Sequence, residues 1–133
     1  TFLGAANLLD AHVAAFVVDG RRRFEIDTPS RAHSLVLASE LAPGTAAELV
    51  VRPEDLTLST RALPGEPNVL AGTVVRISFL GGLVEYSIDI DGVLVKALTH
   101  PAIELVPGQS VWLRVDAARC TVFAKDLSSS RTG

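Results

Sequence analysis

The sequence is poor in the residues that most often mark chemistry. A single cysteine, Cys120, excludes an intramolecular disulfide framework and fits a reducing compartment. Methionine is absent, and Thr1-Phe2-Leu3-Gly4 carries neither an initiator nor the basic n-region of a signal peptide. The chain opens in mid-motif and reads as a piece of something longer. Basic residues are outnumbered: 12 Lys and Arg against 15 Asp and Glu give a net charge of −3. A non-specific nucleic-acid binder carries a basic excess instead. One Trp, one Tyr and five Phe leave little material for stacking single-stranded bases. No apolar run approaches the roughly 20 residues that span a bilayer. His12, His33 and His100 lie far apart without paired ligand spacing, which disfavours a zinc site. Neither a G-x-x-x-x-G-K-[ST] phosphate loop nor a G-x-S-x-G nucleophile elbow occurs, so this stretch of chain is expected to be non-catalytic.

What is present is strand pattern. Hydrophobic content of 48% with 20% charged residues describes a well-packed protein, and 133 residues make one ordinary domain or two very small ones. The clearest stretch is Gly72 to Gly92. Val84, Tyr86, Ile88 and Ile90 fall on one side and Glu85, Ser87, Asp89 and Asp91 on the other, a period of two that places one face on a core and one in water. Val75, Ile77 and Phe79 alternate in the same way with Val74, Arg76 and Ser78. Gly81-Gly82 marks a bulge or corner, and Asp91-Gly92 a tight hairpin turn into a strand from Val93 to Leu98. This is a β-meander of the kind that curls into a small barrel.

The rest of the chain follows suit. An apolar stretch through Val18 closes at Asp19-Gly20, and Arg21-Arg22-Arg23 reads as a solvated hairpin tip leading into an edge strand. Leu35 to Leu37, Ala47 to Val51, Leu56 to Ser59, Val111 to Val115 and Cys120 to Phe123 are further strand candidates. Two prolines and a glycine in residues 60–68 make a crossover, and Ser128 to Gly133 a polar tail.

The two halves share landmarks: Phe2-Leu3-Gly4 with Phe79-Leu80-Gly81, Asp19-Gly20 with Asp91-Gly92, Pro43-Gly44 with Pro107-Gly108, and residues 51–56 with 115–120. The separation falls from 77 (Phe2 to Phe79) to 64 (Pro43 to Pro107), placing about 13 extra residues in the first copy, around Arg21 and Arg31 to Ser39. The expected organisation is all-β, with lobe one over 1–59, a crossover over 60–68, lobe two over 69–127 and a tail over 128–133.

VRPEDLTLS (Val51 to Ser59), NVLAGTVVRISFLGGLVEYSIDIDG (Asn68 to Gly92) and PGQSVWLRVDAARCTVF (Pro107 to Phe123) together resemble the transport-associated OB domain. That domain is the C-terminal regulatory part of ATP-binding subunits in bacterial ABC importers of the maltose, polyamine and ferric-iron type. The resemblance covers nearly the whole chain and rests on the order and spacing of motifs. It implies an OB-like β barrel of two related lobes in tandem, and a regulatory and dimerisation role without catalysis. The implied partners are an ATPase domain ahead of Thr1, which would hold ATP and Mg, a second ATP-binding subunit, and permease subunits reached through the ATPase domain. The implied location is cytoplasmic, peripheral on the inner face of the membrane. No cofactor or nucleic acid is expected on this part of the chain.

Within that resemblance Arg52-Pro53-Glu54-Asp55 stands out. Pro53 fixes φ for a single helical turn whose open N–H groups Glu54 and Asp55 complement. The turn is either a plain strand connector or a place where Arg52 and Glu54 dock the ATPase domain or second subunit. Phe79 and Leu80 at the meander corner, and Trp112 on the polar side of its strand, are either packing or contact residues, with core packing the expectation for Trp112. Glu85, Asp89 and Asp91 read as a solvated strand face, not a carboxylate pair. The second half also resembles the duplicated, molybdate-binding (MOP-like) OB modules. In that reading Ser78, Lys96 and Thr99 are the candidates for a small oxyanion, against the acidic balance of the chain.

Overall fold

Alternation of apolar and polar residues sets the strands. The computed structural model describes residues 6–18, 20–101 and 104–125, apart from the side chain of Phe16. The landmark Phe2-Leu3-Gly4, Asp19 and the tail Ser128 to Gly133 thus lie outside the described residues. The strands are β1 (Asn7–Val18), β2 (Arg21–Ile26), β3 (Ser34–Ala38), β4 (Ala46–Val51) and β5 (Leu56–Ser59). They continue with β6 (Val69–Leu80), β7 (Leu83–Ile90), β8 (Val93–Thr99), β9 (Ser110–Val115) and β10 (Thr121–Ala124). One-turn 3-10 helices occupy Pro53–Asp55 and Ala117–Arg119. The central meander is β6, β7 and β8, with Gly81-Gly82 and Asp91-Gly92 as its turns. Asp91 (φ 50) and Gly92 (φ 90) both take the left-handed backbone that such a two-residue hairpin demands.

Two five-stranded sheets result, ordered β10-β4-β1-β2-β3 and β5-β9-β6-β7-β8. Position for position they follow one path, except that the fifth strands are exchanged. β5 lies beside β9 of the second sheet, and β10 beside β4 of the first. Leu9, Val13, Phe24, Leu37 and Leu49 from one sheet and Val74, Ile88, Val111 and Leu113 from the other belong to a single buried cluster. Burying that shared surface, at about 25 cal/mol per Å², drives the association of the lobes.

The repeat is real, but its first half is registered differently from the sequence landmarks. The β1–β2 turn at Gly20 answers to Gly81-Gly82 between β6 and β7, not to Asp91-Gly92 between β7 and β8. Matching Gly-containing dipeptides paired turns that sit one hairpin apart. The later landmarks hold. Gly44 N–H donates to Val13 O at 2.8 Å and Gly108 N–H to Val74 O at 2.7 Å, while Val13 and Val74 donate to Thr45 O and Gln109 O. Each Pro-Gly turn thereby seats the residue before a bulge, at Val13/Ala15 and at Val74/Arg76.

The lobes clasp each other reciprocally. Asn7 at the head of β1 donates from Nδ2 to Lys96 O and accepts at Oδ1 from Lys96 N–H, both at 2.8 Å. Asn68, just before β6, makes the same pair with Val36: its Oδ1 accepts at 2.7 Å and its Nδ2 donates at 3.1 Å. Each amide satisfies the N–H and the C=O of one residue on the other lobe's edge strand, β8 or β3, where a neighbouring strand would otherwise be needed.

Two further expectations are corrected. The three arginines are not a solvated tip before an edge strand, because they begin β2, which lies between β1 and β3. Arg22 is buried and donates to the carbonyls of Leu41, Val18 and Arg21, so its charge is held by main-chain oxygens at the end of the sheet. The outer face of β7 is not fully solvated either. Ser87 is buried, as is Leu98 on the adjacent β8, against which the first 3-10 turn packs.

Asp91 ties the lobes at a third place. Its carboxylate accepts from the Ser30 N–H at 2.8 Å, and hydrogen bonds from the Ser30 hydroxyl and amide hold it below the usual carboxylate range. A depressed folded value contributes stability above the unfolded value and loses it as pH falls through the folded one. Wild-type Tm is therefore expected to drop below about pH 4 more steeply than that of Asp91→Asn, which keeps the turn but cannot titrate. Parallel acid limbs in a thermal melt series over pH 2–6 would refute this link.

Candidate functional site

The first 3-10 turn separates its polar residues by direction. Arg52 stands at the N-cap with extended backbone and makes no side-chain cap bond. At the equivalent place in the second turn, Asp116 accepts from Ala118 N–H at 3.0 Å. Arg52 and Glu54 are exposed, Pro53 is buried, and Asp55 is largely covered, facing Arg119 of the second turn at 3.9 Å. Asp55 therefore bridges the two equivalent turns, leaving Arg52 and Glu54 as the outward pair. A surface contact of that length is worth little on its own.

The β6–β7 hairpin ends in the most exposed large hydrophobic side chain among the described residues. Phe79 is 78% exposed and Leu80 47%. Ile77, Val84, Pro101 and Leu105 line an open apolar pocket of about 290 Å³ beside Phe79, with Tyr86 at its wall. The Tyr86 hydroxyl accepts from Leu105 N–H at 3.3 Å and helps hold the 104–106 segment that rims it. An aromatic ring this bare next to an apolar hollow is the pattern of an unsatisfied contact surface.

Trp112 is not core. It is half-buried on the outer face of β9, opposite the face of Val111, Leu113 and Val115, and its cross-strand neighbours are Ser59 and Ala71. Those two small side chains leave room for the indole to lie along the sheet.

The oxyanion candidates are not brought together. Ser78 and Lys96 share the outer face of the second sheet, while Thr99 lies on the opposite face and donates to His100 O at 3.2 Å. Between Ser78 and Lys96 sits Glu85, paired directly with Ser78 across the strands and 3.9 Å from Lys96 Nζ. A carboxylate there opposes an anion.

Sequence reasoning missed the polar cleft of about 430 Å³ where the lobes meet. Arg21, Glu54, Asp55, Asn68, Arg114 and Asp116 contribute to its walls. It also missed the clasp residues Asn7 and Asn68. The signal for them was present: Asn7-Leu8-Leu9-Asp10-Ala11-His12-Val13 and Asn68-Val69-Leu70-Ala71-Gly72-Thr73-Val74 share the pattern N-x-L-x-[AG]-x-V. Elsewhere, His12 is bracketed by Asp27 at 3.0 Å and Glu25 at 3.5 Å. Burial pushes the Cys120 thiol up to about 11, so it is a poor nucleophile. Among the described residues no group of three or more His, Cys, Asp or Glu is placed to hold a metal, and no helix is long and apolar enough to cross a membrane.

Comparison with known proteins agrees with this architecture. The fold is that of the cytoplasmic molybdate-binding protein ModG in its molybdate-bound form, with a TM-score of 0.77 over 92% of this chain and 98% of that one, at 18% identity. The tandem OB-type, all-β architecture is thus established. No curated protein matches the chain. The model of the TOBE domain family matches residues 49–123, from within β4 into β10 and more than half of the 133 residues. By that match, the chain belongs to the TOBE domain family.

Proposed function

We propose that this chain is the non-catalytic regulatory and dimerisation domain of an ATP-binding subunit of a bacterial ABC importer. In this reading it braces two ATPase subunits while their nucleotide domains open and close. ATP and Mg belong to an ATPase domain ahead of Thr1, permease subunits are reached through that domain, and the assembly sits on the cytoplasmic face of the membrane. The observation that carries the reading is the bare Phe79-Leu80 tip beside its apolar pocket, on a family fold without a nucleotide loop. Burying such an anchor in a partner's hollow supplies binding energy of hot-spot size, and the outward Arg52 and Glu54 on the first 3-10 turn provide a separate charged contact.

Phe79→Asp in the full-length subunit is expected to weaken the subunit dimer by about 30-fold in Kd, since hot-spot truncations cost about 2 kcal/mol or more. Folding is expected to survive, because the ring is already in water. Glu54→Lys is expected to have a smaller effect, about 3–10-fold. Analytical ultracentrifugation at several concentrations measures both. A dimer unaffected by Phe79→Asp would sink the reading.

A second reading, a small-oxyanion module, has one observation in its favour: the shared fold with a molybdate-binding protein. Glu85 between Ser78 and Lys96, and Thr99 on the other face, count against it at the residues the sequence put forward.

A further inference from the structure

The charges around the interlobe cleft are not spent on one another. Arg21 at the start of β2 and Glu54 of the first 3-10 turn both line it, are exposed, and make no ion pair or side-chain hydrogen bond among the described residues. Among the described residues, Arg114 of β9 pairs with Glu66, at 3.8 Å, and Asp55 with Arg119, at 3.9 Å, neither with a charge across the cleft. The walls come from both halves of the chain: Arg21, Glu54 and Asp55 from the first, Arg114 and Asp116 from the second. Opposite charges that share a cleft yet remain apart fit a ligand that carries both. A simple anion would meet Glu54, Asp55 and Asp116, and a simple amine would meet Arg21 and Arg114. A molecule with one acid and one base meets a partner for each end.

We propose that this cleft binds a small zwitterion of the α-amino-acid class. Arg21 and Arg114 take its carboxylate, a group that the planar guanidinium fork matches in shape and charge. Glu54 takes its ammonium. About 430 Å³ lies within the range of small-molecule sites, which favour the junction between domains. A ligand held by residues of both lobes ties them together and stabilises the clasped state over any loosened one. The site is a property of this chain and does not rest on the importer reading.

Thermal melts of the 133-residue chain test it, with glycine, glutamine and arginine at about 10 mM and with acetate, sulfate, molybdate and ethylamine at matched ionic strength. The expected result is a rise in Tm of about 3 °C or more with at least one amino acid and none with the single-charge compounds. Arg21→Gln and Glu54→Gln should each abolish that rise while leaving the ligand-free Tm within about 1–2 °C, since both side chains are exposed and unpaired. The proposal is overturned if no amino acid shifts the melt, if the rise survives in both variants, or if acetate, sulfate or ethylamine reproduces it. A rise with molybdate alone also overturns it and moves the oxyanion reading forward.

Discussion

Gly72→Ala is expected to destabilise the protein by about 1–3 kcal/mol and to lower Tm by roughly 4–12 °C. A Cβ built on Gly72 would lie 2.7 Å from Ile88 Cγ2, 2.8 Å from Asp89 O and 3.0 Å from Ile90 Cγ1. Ile88 and Ile90 are buried in the core, and the carbonyl oxygen of Asp89 belongs to the β7 backbone, so none of the three can step aside cheaply. Alanine shrinks the unfolded ensemble and recovers a few tenths of a kcal/mol to about 1 kcal/mol, which does not offset the clash. Gly82→Ala is the matched control. Nothing lies within 4 Å of its Cβ position and its φ is not in the left-handed region, so it should be neutral or slightly stabilising. If both substitutions behaved alike, the close approach of β6 to β7 at Gly72 would not be what excludes a side chain there.

The clasp amides carry the other large effect. Asn7→Ala strips the Lys96 N–H and C=O of their side-chain partner, and Asn7 is itself buried, so about 1–3 kcal/mol should be lost. Asn68→Ala does the same to Val36 and also forces alanine into a left-handed backbone, φ 59, which adds about 1–2 kcal/mol. Asn68→Gly separates the two costs, because glycine adopts that backbone freely while still lacking the amide. The asparagines share no partner, so the double variant should lose nearly the sum of the single losses. Chemical denaturation, with unchanged m-value, reads these differences. A double variant as stable as wild type would mean that the lobes are joined by the common core alone.

The sequence-level expectations succeeded where the physics is local. Val84, Tyr86, Ile88 and Ile90 announce β7 because a period of two needs only neighbours along the chain. Asp91-Gly92 announces its hairpin because the turn's backbone demands are met within two residues. Pro53 foretells the 3-10 turn for the same reason. Exchange of β5 and β10 leaves no such trace, since a strand of either half presents the same alternation to either sheet. The Asn7–Lys96 clasp spans 89 positions and rests on a side-chain amide of a kind common in polar loops. Arg22 looked like its exposed neighbours Arg21 and Arg23, and what distinguishes it is burial with main-chain carbonyls converging on its guanidinium. Of the candidate contact residues, Phe79 and Leu80 emerged bare, Arg52 and Glu54 outward, Asp55 turned inward to Arg119, and Trp112 half-buried on the outer face of β9. The oxyanion trio was divided by the alternation of β8, which puts Lys96 and Thr99 on opposite faces.

The regulatory reading depends most directly on what precedes Thr1 in the native protein. Intact mass and N-terminal peptide sequencing of that protein measure it in one experiment. The predicted result is a longer chain with a G-x-x-x-x-G-K-[ST] phosphate loop in a domain ahead of Thr1, which would give the bare Phe79 tip two ATPase subunits to hold together. A native chain that begins near Thr1 would contradict the importer assignment and leave a free-standing TOBE module, whose purpose would then lie in what it binds.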